Sequence, residues 1–171
     1  MEYFLTTKRL GFRCWREEDL PLALGLWGDP EVTAMLGRPL SPDARLAREI
    51  ARMGESGIAY WPVFLLEDGR HVGCAGLQTY REEEHTYELG YHLRRKFWGQ
   101  GLATEAARAV IGYAFDVLGI ESLFAGHHPA NAASRKVLLD LGFMYTGEEL
   151  YPPSGMIEPT YRLRNPRVEA K

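Results

Sequence analysis

The sequence predicts a mixed α/β (α+β) fold, a single domain over residues 1–171 in which helices flank one central, mixed but mostly antiparallel β-sheet. Two strand-like segments meet at an Asp-Gly turn, which is typical of an antiparallel hairpin. A later strand pattern leads through a glycine-rich turn into the longest helical pattern of the chain. With 46% apolar and 25% charged residues, a chain of 171 residues can bury a sizeable core.

A strand and two helices are predicted near the start of the chain. Residues 10–15 alternate well enough for a first strand. The acids of Glu17-Glu18-Asp19 then suit the first turn of a helix, where the helix dipole favours negative charge, and that helix stops near Gly28. Ser41-Pro42-Asp43 opens a second helix over about 44–53, because Ser is a good cap and Pro suits the first turn.

A hairpin and a central strand follow. Strands over 60–66 and 71–79 enclose the turn Glu67-Asp68-Gly69-Arg70, in which Asp-Gly supplies a positive φ. Gly73 and Gly76 in the returning strand mark candidate bulges. The next strand, 86–93, alternates between two faces. One face carries Tyr87, Leu89, Tyr91 and Leu93, and the other carries Glu88, Gly90 and His92.

The second half of the chain predicts two helices and three strands. The longest helix covers 102–118, because its apolar residues recur at helical spacing. Asn131 caps another helix, and Gly142 ends it, since Asn is a strong N-cap and Gly suits the position just beyond a helix. The remaining strands are predicted at 122–126, 143–147 and 158–163, with a Pro-rich loop at Tyr151-Pro152-Pro153 between the last two.

Composition argues against several functional classes. A net charge of −3 provides no basic field for nucleic acid, and no apolar run approaches the roughly 20 residues that span a bilayer. The first residues lack the long apolar core of a signal peptide. Cys14 and Cys74 are too few and too far apart for a disulfide framework or a metal site, and we expect two buried thiols. The expected protein is soluble, cytoplasmic and free of metal.

A glycine-rich turn between the central strand and the longest helix predicts a phosphate site. It reads Trp98-Gly99-Gln100-Gly101-Leu102-Ala103. Glycine lets the backbone approach a ligand closely. The first amides of the following helix have no partners within the helix, and the helix dipole favours an anion there. The sequence therefore predicts a phosphate-bearing cofactor.

Two common phosphate-binding turns do not fit these residues. A P-loop needs Gly-Lys followed by Ser or Thr, but Gly101 is followed by Leu102. A dinucleotide-binding turn needs a third small residue five positions after the first glycine, and from Gly99 that position is the bulkier Thr104. The spacing matches a third pattern, in which Gln or Arg, two residues, Gly, one residue and then Gly or Ala wrap a pyrophosphate. Here that pattern runs from Trp98 through Gly101 to Ala103.

This third turn is the acetyl-coenzyme A turn of the GNAT N-acetyltransferases, and much of the chain resembles their Rim-type branch, the ribosomal-protein N-terminal acetyltransferases. The resemblance implies an acetyl-CoA-dependent N-acetyltransferase with a splayed sheet. Its cofactor would lie in the gap between the strand that ends at Leu93 and the strand that ends at Gly126. The resembling segments are Thr7-Lys8-Arg9-Leu10-Gly11-Phe12-Arg13-Cys14-Trp15 with Asp19, Tyr87-Glu88-Leu89-Gly90-Tyr91, Trp98-Gly99-Gln100-Gly101-Leu102-Ala103-Thr104-Glu105-Ala106, and Asn131-Ala132-Ala133-Ser134 with Leu141-Gly142-Phe143.

The resemblance also implies which residues hold the cofactor. Trp98 stands where many family members have Gln or Arg, so the pyrophosphate is expected on backbone amides from about Gly99 to Ala103, aided by Arg94 or Arg95. Asn131 would order the pantetheine arm. The implied cofactor contacts are Tyr91, Leu93, Arg94, Trp98, Gly99, Gln100, Gly101, Leu102, Ala103, Thr104 and Asn131.

Two side chains are predicted to carry the chemistry. Glu88 is the candidate base, because the family often places a glutamate at this position near the thioester, and partial burial raises the pKa of a carboxyl toward the useful range. Ser134 is the candidate acid beside the departing thiolate, and Tyr145 is its alternative. The histidines lack a carboxylate or Cys at ligand spacing, so no metal is expected. They are His85, His127 and His128.

The acceptor is predicted to be a primary amine, first of all the α-amine of a protein or peptide N terminus. An α-amine with a pKa near 8 is about 10% neutral at pH 7, which costs roughly 1.4 kcal/mol, whereas a lysine-type amine near 10.4 costs roughly 4.6 kcal/mol. Small-molecule amines (a polyamine, an aminoglycoside or an amino acid) are alternative acceptors, and a non-catalytic acyl-CoA-binding protein is the alternative class. Aromatic side chains on the outer strands would mediate a homodimer.

Overall fold

Eight strands and five α-helices are present in the computed structural model, which describes residues 2–37, 40–81, 84–152 and 154–168. The strands are β1 (Leu5–Thr6), β2 (Leu10–Phe12), β3 (Tyr60–Leu65), β4 (His71–Arg81), β5 (Thr86–Leu93), β6 (Ser122–Gly126), β7 (Met144–Tyr151) and β8 (Met156–Arg164). The helices are α1 (Leu20–Trp27), α2 (Pro30–Thr33), α3 (Pro42–Ser56), α4 (Leu102–Asp116) and α5 (Ala132–Asp140).

All eight strands belong to one sheet, in the order β1-β2-β3-β4-β5-β6-β8-β7. Neighbouring strands are antiparallel at every position except between β5 and β6, which are parallel. The parallel pair requires a crossover, and α4 supplies it between the end of β5 and the start of β6. The prediction of a mixed, mostly antiparallel sheet flanked by helices is confirmed.

The parallel pair β5 and β6 separates partway along its length. The two strands are paired only at Thr86 with Ser122, at Tyr87 with Leu123, and at Glu88 with Phe124. Beyond Glu88, β5 continues to Leu93 without a partner in β6. A gap therefore opens between the carboxyl ends of the two strands, as predicted for a splayed sheet.

The two faces of the sheet carry separate apolar clusters. Leu89 and Leu93 of β5 pack with α4, α5 and the apolar side chains of β6, whereas Tyr60 and Cys74 pack with α1 and α3 on the other face. His92 lies on this second face, where its Nδ1 accepts a hydrogen bond of 3.1 Å from Nε1 of Trp27. The predicted alternation of β5 is therefore confirmed.

The start of the chain departs from the sequence expectation. The predicted strand at 10–15 is shorter, because β2 ends at Phe12 and the next side chains turn toward α1. Arg13 donates two hydrogen bonds of 2.6 and 2.8 Å to the buried carboxylate of Asp19, and Trp15 Nε1 donates to the carbonyl of Tyr60 at 2.6 Å. These polar anchors outweigh the alternating pattern that predicted a longer strand. The short elements β1 and α2 carry no clear pattern and were not predicted.

The final hairpin is longer than predicted. β7 runs to Tyr151 and β8 begins at Met156, so most of the expected Pro-rich loop lies within or beside paired strands, and Pro153 falls outside the described residues. β7 is an edge strand, where a polar sequence such as Glu148-Glu149 is compatible with pairing on one side.

The two cysteines differ in exposure. Cys74 is buried as predicted, but the prediction that Cys14 is buried is wrong, because Cys14 is exposed.

Close backbone contacts explain the two glycines that were predicted to mark bulges in β4. The pairing of β3 with β4 shifts register next to Gly73, between Val63 and Phe64, which confirms the first bulge. Gly76 pairs in regular register with Tyr60 and Gly90, so the second predicted bulge is wrong. A Cβ at Gly76 would overlap the carbonyl oxygen of Ala59, so this glycine permits a close approach within the sheet. Among the described residues, no helix is long and apolar enough to cross a bilayer.

Candidate active site

The gap between β5 and β6 opens into a cavity of about 600 Å³. Four of the predicted site residues line it: Glu88 and Tyr91 from β5, and Asn131 and Ser134 from the start of α5. Because side chains alternate along β5, Tyr91 faces α5 while Glu88 faces α3. The cavity therefore connects the two faces of the sheet through the gap.

The predicted phosphate turn forms at the start of α4. Gly99 and Gly101 have φ values of 71° and 73°, the left-handed region that glycine adopts without strain. Gly101 occupies the N-cap position of α4, and no side chain caps the helix there. The first amides of α4 are therefore available to an anion, aided by the helix dipole. These backbone features fit a pyrophosphate.

The other predicted residues of this turn contribute mainly through their backbone. Trp98 is 49% exposed, and its Nε1 donates a hydrogen bond of 2.8 Å to the carbonyl of Leu93, which fixes the turn to the end of β5. Leu102 is buried in the core and Ala103 packs against it, so only their amides can reach a ligand. The side chain of Gln100 bonds to the carbonyl of Lys96, and Thr104 lines a shallow hollow beside α4.

A cation that contacts the turn is not one that the sequence predicted. The guanidinium of Arg94 lies beside Gly25 of α1, and that of Arg95 pairs with Glu31 of α2. Arg9 reaches the turn instead. Its Nη1 donates a hydrogen bond of 3.1 Å to the carbonyl of Gln100, and its Nε pairs with Glu105 at 2.6 Å. A cofactor contact by Arg94 or Arg95 stays a prediction.

A chain of polar side chains holds Glu88 in place. Gln78 lies directly opposite Glu88 in the antiparallel pairing of β4 and β5, and its Nε2 donates a hydrogen bond to Oε2 of Glu88. Oε1 of Gln78 accepts a hydrogen bond of 2.6 Å from Arg52, which also pairs with the buried Glu49 at 3.0 Å. Glu49 in turn accepts the amide of Tyr60 at 2.9 Å. The carboxylate of Glu88 is thus anchored through α3 to the core.

The surroundings of Glu88 suit a general base. Burial raises the pKa of Glu88, which the hydrogen bond from Gln78 and the charge of Arg52 oppose and the negative charge of Glu158 reinforces. Glu158 of β8 lines the same cavity, and its own pKa is also raised by burial. A carboxylate with a raised pKa is a better proton acceptor near neutral pH than an exposed one. Glu158 was not predicted from the sequence.

A second group of hydroxyls lies on the opposite side of the gap. The hydroxyls of Tyr91 and Ser134 are 3.0 Å apart, and Oδ1 of Asn131 accepts the amide of Ser134 at 3.0 Å, which confirms that Asn131 caps α5. Burial raises the pKa of Tyr91 to about 12, so its hydroxyl keeps its proton at neutral pH. The pair can therefore donate a hydrogen bond or a proton to an anion that forms beside α5.

Tyr145 is not placed to act as the acid, and the histidines form no metal site among the described residues. Tyr145 is 58% exposed on β7 and does not line the cavity, so Tyr91 replaces it as the phenol near Ser134. His127 and His128 line the cavity at the end of β6, where Nε2 of His127 lies 3.1 Å from the hydroxyl of Tyr161. In the part of the chain that the structure describes, no group of three His, Cys, Asp or Glu side chains could hold a metal ion.

Replacing Gln78 with Leu is expected to shift the acidic limb of the pH profile of kcat/KM to higher pH. The hydrogen bond from Gln78 stabilises the charged form of Glu88, so its loss raises the pKa of Glu88 further. Activity above that pKa is expected to stay within a few-fold of wild type. Steady-state rates between pH 5 and pH 9 test this, and an unmoved limb would mean that Gln78 does not tune the base.

The fold, the phosphate turn and the facing carboxylates and hydroxyls define a class of protein, the acyl-CoA-dependent acetyltransferases, and sequence comparison agrees. A model of the acetyltransferase (GNAT) domain matches residues 9–144, and the chain therefore belongs to the GNAT family. It is 31% identical to the uncharacterized N-acetyltransferase p20 of Bacillus licheniformis over 84% of this chain and 83% of that protein. It is 30% identical to FsC-acetyl coenzyme A-N(2)-transacetylase of Aspergillus fumigatus over 96% of this chain and 77% of that protein.

Solved structures share the fold. An acetyltransferase from Agrobacterium tumefaciens aligns with a TM-score of 0.79 at 26% identity, over 96% of this chain and 98% of that one. RimL, a ribosomal L7/L12 α-N-protein acetyltransferase solved with coenzyme A, aligns with a TM-score of 0.82 at 16% identity, over 95% and 98% of the two chains. The chain is thus an N-acetyltransferase of the GNAT family, in which acetyl-CoA is the acetyl donor.

Proposed function

We propose that this enzyme transfers the acetyl group of acetyl-CoA to the α-amine at the N terminus of a protein or peptide. The observation that carries the proposal is the half-buried carboxylate of Glu88, with its raised pKa, at the point where β5 and β6 separate. It faces the cavity opposite the hydroxyls of Tyr91 and Ser134. This arrangement places a proton acceptor and a proton donor on two sides of one gap.

The strength of the base favours an α-amine over a lysine side chain. Removing the proton from an α-ammonium at pH 7 costs roughly 1.4 kcal/mol, against roughly 4.6 kcal/mol for a lysine-type ammonium. A glutamate with a raised pKa can offset the smaller of these costs but matches the larger one poorly. The Rim-type relatives among the structural neighbours add support, since RimL is described as acting on an α-amine of a ribosomal protein.

The residues of the cavity divide the proton transfers between them. Glu88 accepts the proton that the acceptor ammonium releases and passes it to solvent, and it then accepts the second proton, which the same nitrogen loses as the amide forms. When bound, acetyl-CoA supplies a thioester whose C–S bond breaks as the bond from its carbonyl carbon to the amine nitrogen forms. Ser134, with its hydroxyl held by Tyr91, donates a proton to the departing thiolate and regains one from solvent through Tyr91. The amides of α4 and the side chain of Asn131 orient the donor.

Release of coenzyme A thiol from acetyl-CoA, measured against a panel of acceptors, tests the proposal. The panel contains peptides with free N termini and matched peptides in which the N terminus is blocked and a lysine side chain supplies the amine. It also contains polyamines, aminoglycosides and free amino acids. We expect the free N-terminal peptides to give a kcat/KM at least 10-fold above the blocked lysine peptides, in line with their lower cost of deprotonation. Release with polyamines or aminoglycosides alone would support the small-molecule alternative. No release with any acceptor would support a protein that binds acyl-CoA without transfer.

The homodimer and the cytoplasmic location expected from the sequence stay proposals. The edge strand β7 exposes three large apolar or aromatic side chains, those of Met144, Tyr145 and Leu150. An edge strand with exposed apolar side chains offers a surface on which a second copy could pair.

A further inference from the structure

One wall of the active-site cavity is rich in arginine. Helix α3 carries Arg45, Arg48 and Arg52, whose spacing places them on one face of the helix. Arg45 and Arg48 line the cavity. The nearby carboxylate of Glu49 pairs with Arg52 at 3.0 Å and with Arg48 at 3.6 Å. The carboxylate of Glu49 therefore balances only part of the positive charge of these three arginines.

Arg45 is the arginine of this wall that forms no ion pair among residues 2–37, 40–81, 84–152 and 154–168, although the charge of Glu49 is close enough to act on it. Its side chain is only 5% exposed, and its guanidinium lies 5.8 Å from the ring centre of Trp27. The Nε atom of Arg45 is buried without a hydrogen-bond partner among the described residues, and so is the Nε of Arg48. A buried guanidinium without a carboxylate is costly, and an anion that enters the cavity would offset that cost.

The cavity also carries negative charge. Glu88, Glu149 and Glu158 line it from β5, β7 and β8. Arg45 and Arg48 lie with Tyr60 on the face of the sheet that Glu88 also occupies, whereas the predicted donor contacts at Tyr91, Asn131 and Ser134 lie toward α5. Arginines and acids therefore both line the acceptor side of the gap.

We propose that the acceptor carries a carboxylate a few bonds from its reactive amine, and that Arg45 and Arg48 bind this carboxylate while Glu88 and Glu158 face the amine. This inference rests on the proposed transfer of an acetyl group to an α-amine and narrows the acceptor, and it extends to the free amino acids among the alternative acceptors. Two acceptors share the required chemistry: a peptide whose first residue is Asp or Glu, and a free amino acid with its own α-carboxylate. A guanidinium binds either through a charge-assisted, bidentate contact.

Matched pairs of acceptors, differing only in the carboxylate, test the proposal in steady-state kinetics. The first pair is Glu-Ala-Ala-Ala amide and Gln-Ala-Ala-Ala amide, and the second is alanine and alaninamide. We expect the acid of one pair to have a KM about 10-fold or more below that of its amide, as a charge-assisted hydrogen bond predicts. Which pair shows the difference identifies the source of the carboxylate.

Arg45→Met is expected to remove this preference by raising the KM of the acid about 10-fold or more, while the KM of the amide changes less than about twofold. Arg167→Met is the matched control, because it removes the same charge at an exposed site that pairs with Asp116. Arg48→Met, at a more exposed position, gives the same test in weaker form if the Arg45 variant does not fold. The proposal is overturned if the acids show no advantage, or if the advantage survives Arg45→Met.

A binding measurement separates this proposal from the proposed function. Calorimetry in the presence of coenzyme A compares N-acetylglutamate α-amide with N-acetylglutamine α-amide, and N-acetylalanine with its amide. Binding of one acid that depends on Arg45 supports the anion site even if no amine is acetylated, in which case the proposed function fails alone. Transfer without Arg45-dependent binding or kinetics leaves the proposed function standing and rejects the anion site. Neither transfer nor binding rejects both.

Discussion

Replacing Glu88 with Gln is expected to lower kcat/KM by about 10²- to 10⁴-fold, the range that a positioned general base contributes. The amide keeps the shape of the side chain but cannot accept the proton of the acceptor ammonium. Because Gln78 and Glu88 are paired across β4 and β5, the variant can keep a hydrogen bond there and is expected to fold. Steady-state thiol release at saturating acetyl-CoA measures the loss.

The pH profile distinguishes a base from a residue that only supports the fold. Burial raises the pKa of Glu88, so kcat/KM of the wild type is expected to fall as pH drops through that raised pKa, where Glu88 becomes protonated. In Glu88→Gln this acidic limb is expected to disappear, while Glu67→Gln, on an exposed turn, is expected to keep it. If Glu88→Gln keeps the limb, the titrating base is another group, and Glu158 is the first to examine.

Replacing Gly101 with Ala is expected to weaken the binding of coenzyme A by about 10-fold or more. Gly101 has a φ of 73°, and a residue with a Cβ pays on the order of 1–2 kcal/mol to hold that conformation. Relaxation of the turn would misalign the first amides of α4, which are the groups expected to hold the pyrophosphate. Titration calorimetry with coenzyme A gives the change in Kd directly.

Gly119 provides a matched control for this substitution. Its φ is 66°, and a Cβ there would meet nothing within 4 Å, so Gly119→Ala carries the same backbone cost beyond the far end of α4. We expect both variants to lose similar thermal stability, but only Gly101→Ala to lose affinity. Equal Kd values for the two variants would show that the turn does not hold the ligand.

The parts of the fold that were predictable from sequence are those with local patterns. The strands at Thr86–Leu93 and Ser122–Gly126 match the structure, because alternation and flanking turns define a strand without reference to its neighbours. The Gly99–Gly101 turn and the Asn131 cap also follow from a few adjacent residues. The strand predicted at 10–15 failed because the long-range bond of Trp15 to Tyr60 and the ion pair of Arg13 end the pairing.

The unpredicted residues of the candidate site are brought in by distant elements. Glu158 and Arg45 lie on β8 and α3, far from Glu88 in sequence, and no local spacing connects them to it. Arg9 belongs to a segment that resembles the family, but its contact with the glycine-rich turn depends on where the turn between β1 and β2 lies beside α4. Gln78 lies opposite Glu88 only because the β4–β5 pairing shifts register between Thr79 and Arg81; counting outward from the pair of Arg81 with Thr86 would have placed Thr79 there.

The short pairing of β5 with β6 has a consequence for the stability of the whole chain. Only three residue pairs join the first five strands to the last three within the sheet, so few backbone hydrogen bonds connect these two parts. A ligand that contacts both α4 and α5 would bridge the two parts and favour the folded state by mass action. At 100 times its Kd, such a ligand adds about 2.7 kcal/mol to the free energy of unfolding. The supply of coenzyme A in the surroundings would then help to set how long this enzyme persists.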